Sequence, residues 1–497
     1  MGVAPVLRTD FSAGGGGRHV PRPSDNQEPR VPESPADTVY DVVVLGGGSG
    51  GYSVAFRAAE LGLSVCLVEK AELGGTCLHR GCIPTKALLH AAEVADSARH
   101  AEGFGVKAQL QGIDMAGVNK YKDGVVGRLY KGLQGLVKAH KITLVEGEGR
   151  LVAPDAVEVD GTRYRGVNVV LATGSYSKSL PGLEIGGRVI TSEQAIRLDS
   201  VPERAIVLGG GVIGCEFASV WKSFGVDVTI VEALPRLVAA EDEAASKALE
   251  RAFRKRKIGF STGVRFKGVT QDDSGVHVEL EDGKTFDADL LLVAVGRGPS
   301  TQGLGFEEAG VTLDRGFVIT DERLRTGVET GAGGKVYAVG DIVPGLQLAH
   351  RGFAQGIFVA EEIAGQQPAP IVDAMIPRVT YSTPEIASVG LTERQARELY
   401  GDDAVEVLEY NLGGNGRSQI LGTAGFVKLV REKDGPVVGF VAVGDRMGEQ
   451  VGEAQLIVNW EAFPEEVASL VHAHPTQNES LGEAHLALAG KPLHSHS

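Results

Sequence analysis

Residues 40–51 read Tyr-Asp-Val-Val-Val-Leu-Gly-Gly-Gly-Ser-Gly-Gly. The first six are mostly apolar, as expected for a parallel strand that is covered on both faces. Gly46, Gly48 and Gly51 follow as G-x-G-x-x-G ahead of a helical segment, a setting in which backbone N–H groups bind a pyrophosphate. Glu69 ends the next apolar strand, where an acid can hydrogen-bond ribose hydroxyls. The segment predicts a dinucleotide-binding unit, although such a motif taken alone also fits an ordinary turn.

A second stretch repeats this pattern. Another apolar strand leads into Gly209, Gly211 and Gly214, and Glu232 ends the strand that follows. Two such units predict two bound dinucleotides and an internal duplication of the fold. A carboxylate at position 232 accepts a hydrogen bond from an adenosine 2′-hydroxyl and repels a 2′-phosphate, which favours NAD over NADP. Arg236 lies close enough to leave NADP open.

The stretch Gly-Gly-Thr-Cys-Leu-His-Arg-Gly-Cys-Ile-Pro-Thr-Lys occupies positions 74–86 and holds Cys77 and Cys82. In a regular helix their Cα atoms would lie about 8.6 Å apart. A disulfide requires about 4.4–6.8 Å, so a bond between them needs a distorted backbone. Gly81 and Pro84 permit such a distortion. The spacing alone also fits two cysteines that never meet, or half of a metal site.

Composition narrows the class of protein. The chain has 497 residues, of which 43% are hydrophobic and 69 are glycines, as in a globular α/β protein of three or four domains. The net charge of −15 argues against nucleic acid and an anionic membrane surface as partners. With only four cysteines, the chain is not a disulfide-stabilised secreted scaffold, and we predict a cytoplasmic location. We expect Cys66 and Cys215 to be buried core residues.

The proline- and glycine-rich residues 1–38 predict a disordered tail without a secretory signal. A mitochondrial transit peptide fits poorly, because the tail carries acids, but it stays open.

A histidine motif lies near the C-terminus. Pro475 pushes His474 out of helical geometry and can open a helix, and Glu479 can orient the imidazole ring. A histidine, with a pKa of about 6.5, can take a proton from a thiol at neutral pH. We expect three other histidines near this end, His485, His494 and His496, to be solvated surface residues. We assign no role to His472.

The ordered set of motifs resembles the pyridine nucleotide-disulfide oxidoreductases. The resemblance rests on the 74–86 stretch, Ala-Thr-Gly-Ser at 172–175, Gly-Asp at 340–341 and the His474-Pro475 motif. It begins at Tyr40 and runs to the C-terminus. It implies an α/β fold with two Rossmann-like domains, for FAD and NAD, and a C-terminal α+β dimerisation domain. The implied boundaries are 1–38 for the tail, 39–170 and 296–370 for the FAD-binding part, 171–295 for the NAD-binding domain, and 371–497 for the dimerisation domain.

The resemblance also implies an activity. Cys77 and Cys82 would form a redox disulfide beside FAD, and His474 would act across the interface of a homodimer. The 74–86 stretch is most similar to family members that oxidise dihydrolipoamide on a lipoylated acyltransferase or carrier of a 2-oxo acid dehydrogenase or glycine cleavage complex. Cys82 would have to stay ionised, which needs a pKa about 2 below its ordinary value. A His474 imidazolium and a helix N-terminus are the sources that we predict.

Four catalytic residues follow from this resemblance: Cys77, Cys82, His474 and Glu479. Lys86 and Glu216 would pair beside the flavin, and Asp341 would hold the ribityl hydroxyls. No metal is predicted. The predicted cofactor-binding residues are Gly46, Gly48, Gly51, Glu69, Gly75, Thr76, Lys86, Gly149, Thr173, Gly174, Ser175, Gly209, Gly211, Gly214, Glu216, Glu232, Gly296, Asp341, Gln347, Leu348, Ala349 and His350.

Rival activities share this fold. A reductase of a low-molecular-weight disulfide such as mycothione or glutathione stays open, although no clear 2′-phosphate arginine follows the second unit. A mercuric reductase would need another cysteine pair near the C-terminus, and soluble transhydrogenases lack paired cysteines. A flavin-holding scaffold without turnover would not need Cys77, Cys82, His474 and Glu479 together.

Overall fold

The computed structural model describes residues 38–494. The predicted disordered tail, except for Thr38, and His496 therefore lie outside the described residues. Among the helices of this range, none combines the length and the apolar character needed to cross a membrane.

The first part of the chain contains the first glycine-rich turn. Its elements are β1 (Val39–Leu45), α1 (Ser49–Glu60), β2 (Val65–Glu69), α2 (Gly75–His79), α3 (Cys82–His100), α4 (Met115–Ala139), β3 (Thr143–Glu146), β4 (Arg150–Ala153), β5 (Ala156–Val159), β6 (Thr162–Leu171), β7 (Ser175–Ser177), β8 (Val189–Thr191) and α5 (Ser192–Ala195). β1 pairs in parallel with β2 and with β6. Val42, Val43 and Val44 are fully buried, as predicted for a strand covered on both faces.

The second part repeats the strand, turn, helix and strand. Its elements are β9 (Arg204–Leu208), α6 (Val212–Ser223), β10 (Asp227–Glu232), α7 (Glu243–Lys255), β11 (Gly259–Thr262), β12 (Phe266–Asp272), β13 (Gly275–Leu280), β14 (Thr285–Ala288), β15 (Leu290–Val293) and β16 (Arg297–Pro299). A parallel sheet has the order β11-β10-β9-β15-β8, and β12, β13 and β14 form a separate antiparallel sheet. β16 pairs with β7.

The third part returns to the first sheet. It contains β17 (Leu313–Asp314), β18 (Phe317–Val318), β19 (Arg325–Glu329), β20 (Lys335–Ala338) and α8 (Ala349–Ile363). β20 pairs in parallel with β6, which gives the order β19-β20-β6-β1-β2-β3, with β5 and then β4 attached to β6. A Cβ at Gly356 of α8 would lie 2.5 Å from the carbonyl oxygen of Gly50, so glycine allows α8 to pack closely on α1.

The last part is an antiparallel sheet with helices. It contains β21 (Arg378–Thr380), β22 (Glu385–Gly390), α9 (Glu393–Tyr400), β23 (Val405–Asn411), α10 (Gly416–Leu421), β24 (Phe426–Glu432), β25 (Val437–Gly444), α11 (Val451–Asn459), α12 (Pro464–Val467) and α13 (Glu479–Leu488). The strand order is β21-β22-β25-β24-β23. The predicted fold class is thus confirmed. The exact domain boundaries stay predictions.

Candidate active site

The two cysteines of the 74–86 stretch lie on different helices. Cys77 is in α2, which ends at His79, and Cys82 is the first residue of α3. Gly81 leaves helical geometry between them, with φ −142° and ψ −105°. The Cys77 side chain lies within hydrogen-bonding reach of Cys82. The predicted backbone distortion is therefore present, and it brings the two sulfurs together.

The two thiols differ in acidity. The hydrogen bond from Cys77 is the main reason why the pKa of Cys82 is lowered to about 7. Burial raises the pKa of Cys82 and so opposes this change, whereas the Lys86 ammonium lowers the pKa further. The same hydrogen bond, followed by burial, raises the pKa of Cys77. Cys82 is thus the more acidic thiol of the pair and is partly ionised at neutral pH, and Lys86 adds a positive charge beside it. The expected contribution of His474 from a partner subunit stays a prediction.

Lys86 is held by two other elements. Its Nζ donates to both carboxylate oxygens of Glu216 at 2.9 Å, and the Glu216 side chain is only 3% exposed. Burial opposes the charge on Lys86, but the Glu216 carboxylate outweighs it and raises the pKa of Lys86. The backbone N–H of Tyr381 donates to Glu216 at 3.0 Å, and the Tyr381 ring centroid lies 4.7 Å from Nζ. The predicted Lys86–Glu216 pair is therefore present, and it holds the Lys86 ammonium in place near Cys82.

The two glycine-rich turns have the same backbone. Gly46 and Gly209 have φ of +106° and +113°, and a Cβ on either would lie 2.3 Å from a carbonyl oxygen after the neighbouring strand. A Cβ on Gly51 or Gly214 would lie 1.8 or 1.9 Å from the carbonyl oxygen of the first glycine of its own turn. Only glycine fits these four positions.

The middle glycines leave an open surface. A Cβ at Gly211 would meet no protein atom within 4 Å, and one at Gly48 would meet a single atom at 4.0 Å. The first turns of α1 and α6 have no side-chain cap. Glu69 accepts the N–H of Gly47 at 2.7 Å, and Glu232 accepts the N–H of Gly210 at 2.6 Å. The residues therefore fit two dinucleotides, with free N–H groups for a pyrophosphate and a placed carboxylate for a ribose.

Arg236 is already engaged. Its guanidinium donates to the carbonyl oxygens of Ala239 and Glu241 at 2.8 and 2.9 Å and to the Ser246 hydroxyl at 2.7 Å. It is therefore not available to bind a 2′-phosphate, which supports the preference for NAD drawn from Glu232.

Further predicted flavin contacts meet at the ends of β6 and β20. The Ser175 hydroxyl donates to Asp341 at 2.5 Å, and Arg297 donates to Ser175 Oγ at 2.7 Å. Gln347 Nε2 donates to the Asp341 carbonyl oxygen at 3.2 Å. Thr173 Oγ1 donates to the Ser300 carbonyl oxygen at 2.6 Å. The glycines at this edge have positive φ, +74° and +113°, and are Gly174 and Gly296.

The remaining predicted contacts have mixed surroundings. Gly75 packs on the first turn, where its Cβ would lie 2.8 Å from Gly48 Cα, and Thr76 follows it in α2. α8 begins at Ala349, directly after Leu348, and has no side-chain cap. The roles of these residues stay predictions.

Two predicted contacts already have protein partners. His350 Nε2 donates to the Pro377 carbonyl oxygen at 2.7 Å. A Cβ at Gly149 would lie 2.6 Å from the Leu45 side chain and 2.8 Å from that of Val68, so core packing explains this glycine. Their cofactor contacts stay predictions.

The histidine motif forms a pair at the other end of the chain. His474 Nδ1 lies 2.8 Å from Glu479 Oε1, and the His474 side chain is 75% exposed. The Thr476 N–H donates to the second Glu479 oxygen at 2.8 Å. α13 begins at Glu479, so the expectation that Pro475 opens the helix was wrong. Within residues 38–494 of one chain, no hydrogen bond or ion pair connects His474 with either cysteine.

A supporting pair was missed by sequence reasoning. His472 Nε2 lies 2.8 Å from Glu453 Oε1, and this hydrogen bond raises the pKa of His472. Glu453 also accepts from Asn478, next to the start of α13. A Cβ at Gly482 of α13 would lie 2.4 Å from His472 Nδ1, so the imidazole packs directly on that helix. The pair secures the loop that carries His474.

The expectation that His485 is solvated was wrong. His485 is fully buried, and its Nδ1 lies 2.7 Å from the Leu481 carbonyl oxygen. Burial lowers the pKa of His485 to about 4. The reason is helical spacing, because His485 shares the inner face of α13 with Leu481, one turn earlier. His494 is exposed and lies 2.9 Å from Glu483.

A polarised thiol pair after the first of two dinucleotide turns defines the class of flavin- and nicotinamide-dependent disulfide oxidoreductases. Residues 40–356 match the pyridine nucleotide-disulphide oxidoreductase family, and residues 376–485 match its dimerisation domain. The chain belongs to the pyridine nucleotide-disulphide oxidoreductase family, whose cofactors here are FAD and NAD(H). The dimerisation domain supports a homodimer.

Relatives cover nearly the whole described chain. The chain is 39% identical to dihydrolipoyl dehydrogenase of Bacillus subtilis (strain 168), over 92% of this chain and 99% of that protein. It is 37% identical to leghemoglobin reductase of Vigna unguiculata, over 92% and 88%. Among solved structures, LpdA of Mycobacterium tuberculosis superposes with a TM-score of 0.83 at 26% identity, over 90% of this chain and 99% of that one. The HOCl-induced flavoprotein disulfide reductase RclA of Escherichia coli superposes with a TM-score of 0.79 at 26% identity, over 90% of this chain and 99% of that one.

Proposed function

We propose that this chain is a dihydrolipoyl dehydrogenase, which oxidises protein-bound dihydrolipoamide to lipoamide and reduces NAD⁺ to NADH. The observation that carries the proposal is the placing of the cysteine pair, with Cys77 in α2, Cys82 at the start of α3 and the Lys86–Glu216 pair one turn further along. The near full-length relatives named dihydrolipoyl dehydrogenase support the substrate. Glu232 and the engaged Arg236 support NAD.

The reaction starts from the Cys77–Cys82 disulfide. His474 of the partner subunit takes a proton from one thiol of dihydrolipoamide, and the resulting thiolate attacks Cys77 Sγ. The bond between the two cysteines breaks, and Cys82 leaves as a thiolate stabilised by Lys86. The second substrate thiol then attacks the mixed disulfide, which releases lipoamide and leaves Cys77 as a thiol.

Two sets of residues would bind the two cofactors. Gly46, Gly48 and the N-terminus of α1 would hold the FAD pyrophosphate, Glu69 its adenosine ribose and Asp341 its ribityl hydroxyls. When bound there, FAD supplies the two-electron chemistry that connects the dithiol with NAD⁺. The second turn, with Glu232, would hold NAD⁺.

Two further statements belong to the proposal. The partner is a lipoylated acyltransferase or carrier of a 2-oxo acid dehydrogenase or glycine cleavage complex, in keeping with the proposed substrate. The location is cytoplasmic, in keeping with the small number of cysteines and the acidic composition.

The test is steady-state NAD⁺ reduction with dihydrolipoamide, run beside NADPH oxidation with glutathione disulfide and with mycothione disulfide. We expect rapid NADH formation and no NADPH-driven disulfide reduction. Activity in the second assay alone would leave the thiol chemistry in place but replace the substrate with a small disulfide.

A further inference from the structure

The outward face of α4 carries a row of cations. Lys120, Arg128, Lys131 and Lys138 are separated by 8, 3 and 7 residues, so they share one side of the helix. All four are exposed. None of them forms an ion pair with a carboxylate within residues 38–494. The chain has a net charge of −15, so the charge of this basic row is opposite in sign to that of the chain as a whole.

Glycines fill the places between these cations. Gly124 and Gly135 lie in the same row, and Gly127 and Gly132 flank it. A Cβ at Gly127, Gly132 or Gly135 would meet nothing within 4 Å, and one at Gly124 would meet only an Arg128 side-chain nitrogen, at 3.6 Å. Packing therefore does not require glycine at these positions. Each glycine costs about 1 kcal/mol relative to alanine in a helix. A helix that breaks its own propensity without a packing reason indicates a functional surface.

This basic row lies over the reactive segment. The inner side of α4 packs on α2, where the Tyr130 ring meets the His79 ring edge-on with centroids 5.0 Å apart. A Cβ at Gly74 would lie 3.2 Å from Leu133 of α4. α2 holds Cys77. The row is therefore separated from the Cys77 segment by one helix, which is about 10 Å across.

We propose that this basic row of α4 docks an acidic protein domain that presents the dithiol on a mobile arm. The inference rests on the proposed function and names the surface chemistry of its partner. Exposed charges act mainly on the rate of encounter, and salt screens them. The row therefore raises kcat/KM for a carried dithiol and leaves the thiol chemistry to Cys77 and Cys82.

The test compares three dithiols. They are free dihydrolipoamide, a dihydrolipoyl-lysine in a glutamate-rich peptide, and the same peptide with every glutamate replaced by glutamine. The full-length dimer is used as wild type, as the double variant Arg128→Gln, Lys131→Gln, and as a control variant. The control, Arg251→Gln, Lys255→Gln, removes two exposed cations from α7, which belongs to the second dinucleotide unit. Glutamine keeps the helix propensity of both sites.

The measured quantity is the ratio of kcat/KM for the acidic peptide to that for the neutral one. In the wild type at low salt we expect a ratio of about 10, at the lower end of electrostatic steering, falling toward 1 at high salt. The α4 variant should lose most of this ratio, and the α7 control should keep it.

Three results would overturn the inference. The first is an unchanged ratio in the α4 variant. The second is an equal loss for free dihydrolipoamide, which would mean that the row acts on the chemistry or the fold. The third is dissociation of the α4 variant into monomers in light scattering, which would make the row a contact between copies of this chain. A wild type that oxidises none of the three dithiols would instead refute the proposed function itself.

Discussion

The first and second glycine-rich units have almost the same geometry but different sequels. The first glycines have φ of +106° and +113°. The carboxylates of Glu69 and Glu232 accept equivalent backbone N–H groups, each in its own turn, at 2.7 and 2.6 Å. After Glu69 the chain enters α2 and α3 with their thiol pair, whereas after Glu232 it enters a loop anchored by Arg236. The comparison teaches that nucleotide binding is duplicated, while reactivity belongs to the segment that follows only the first unit.

The largest expected effect tests that assignment of reactivity. Cys82→Ser should lower dihydrolipoamide-dependent NAD⁺ reduction by more than about 10³-fold, because a hydroxyl cannot form the redox disulfide. Cys66→Ala is the matched control, since Cys66 is buried in β2 and burial raises its pKa to about 12. A Cys82→Ser enzyme with normal turnover would remove the difference between the two units.

Alanine at the middle glycines separates the two units. Gly48 and Gly211 have φ of −74° and −78° and open space around a Cβ, so alanine disturbs only a bound ligand. Gly211→Ala should raise KM for NAD⁺ roughly 30-fold and keep its flavin, whereas Gly48→Ala should be purified with less flavin. Flavin absorbance per chain and KM are measured, and Tm, taken with saturating FAD, should be unchanged in both variants. Flavin loss from Gly211→Ala would contradict the order of the two sites.

A smaller effect is expected at the carboxylates. Glu232→Gln should raise KM for NAD⁺ about tenfold, which is about 1.4 kcal/mol, because a hydrogen bond to a charged acceptor becomes one to a neutral acceptor. Glu69→Gln should instead weaken flavin retention and leave KM for NAD⁺ unchanged. Equal effects of both variants on both cofactors would mean that the units do not bind separately.

The smallest effect is a change in a titration. Alkylation of the reduced enzyme by iodoacetamide should rise with pH around a midpoint of about 7, because the reactive thiolate of Cys82 forms above its pKa. Lys86→Met removes a nearby positive charge, so the pKa of Cys82 should rise and the midpoint should move toward higher pH. The control Lys255→Met changes an exposed lysine of α7. An unmoved midpoint would show that Lys86 does not tune the thiol.

The parts that could be predicted from the sequence are short motifs with their partners nearby in the chain. The glycine turns follow from spacing and strand context, and the break at Gly81 follows from the distance that two sulfurs need to meet. His474 and Glu479 are five residues apart, so their pairing was also within reach.

The parts that could not be predicted depend on contacts between distant residues. The Tyr381 ring over Lys86 joins positions 295 residues apart, and no local pattern marks it. The partner of His472 lies 19 residues upstream, in α11. His485 was misread because a histidine-rich end suggested solvent, although the helical spacing from Leu481 would have placed it on the inner face of α13.

Arg236 has a consequence for cofactor engineering. Its guanidinium is occupied by the Ala239 and Glu241 carbonyl oxygens and by Ser246 at the start of α7. Replacing Glu232 with a neutral residue would remove a repulsion but would not free this cation. A variant that uses NADP would need a newly introduced arginine or lysine. Arg236 could bind the 2′-phosphate only by losing the hydrogen bonds that hold the loop before α7.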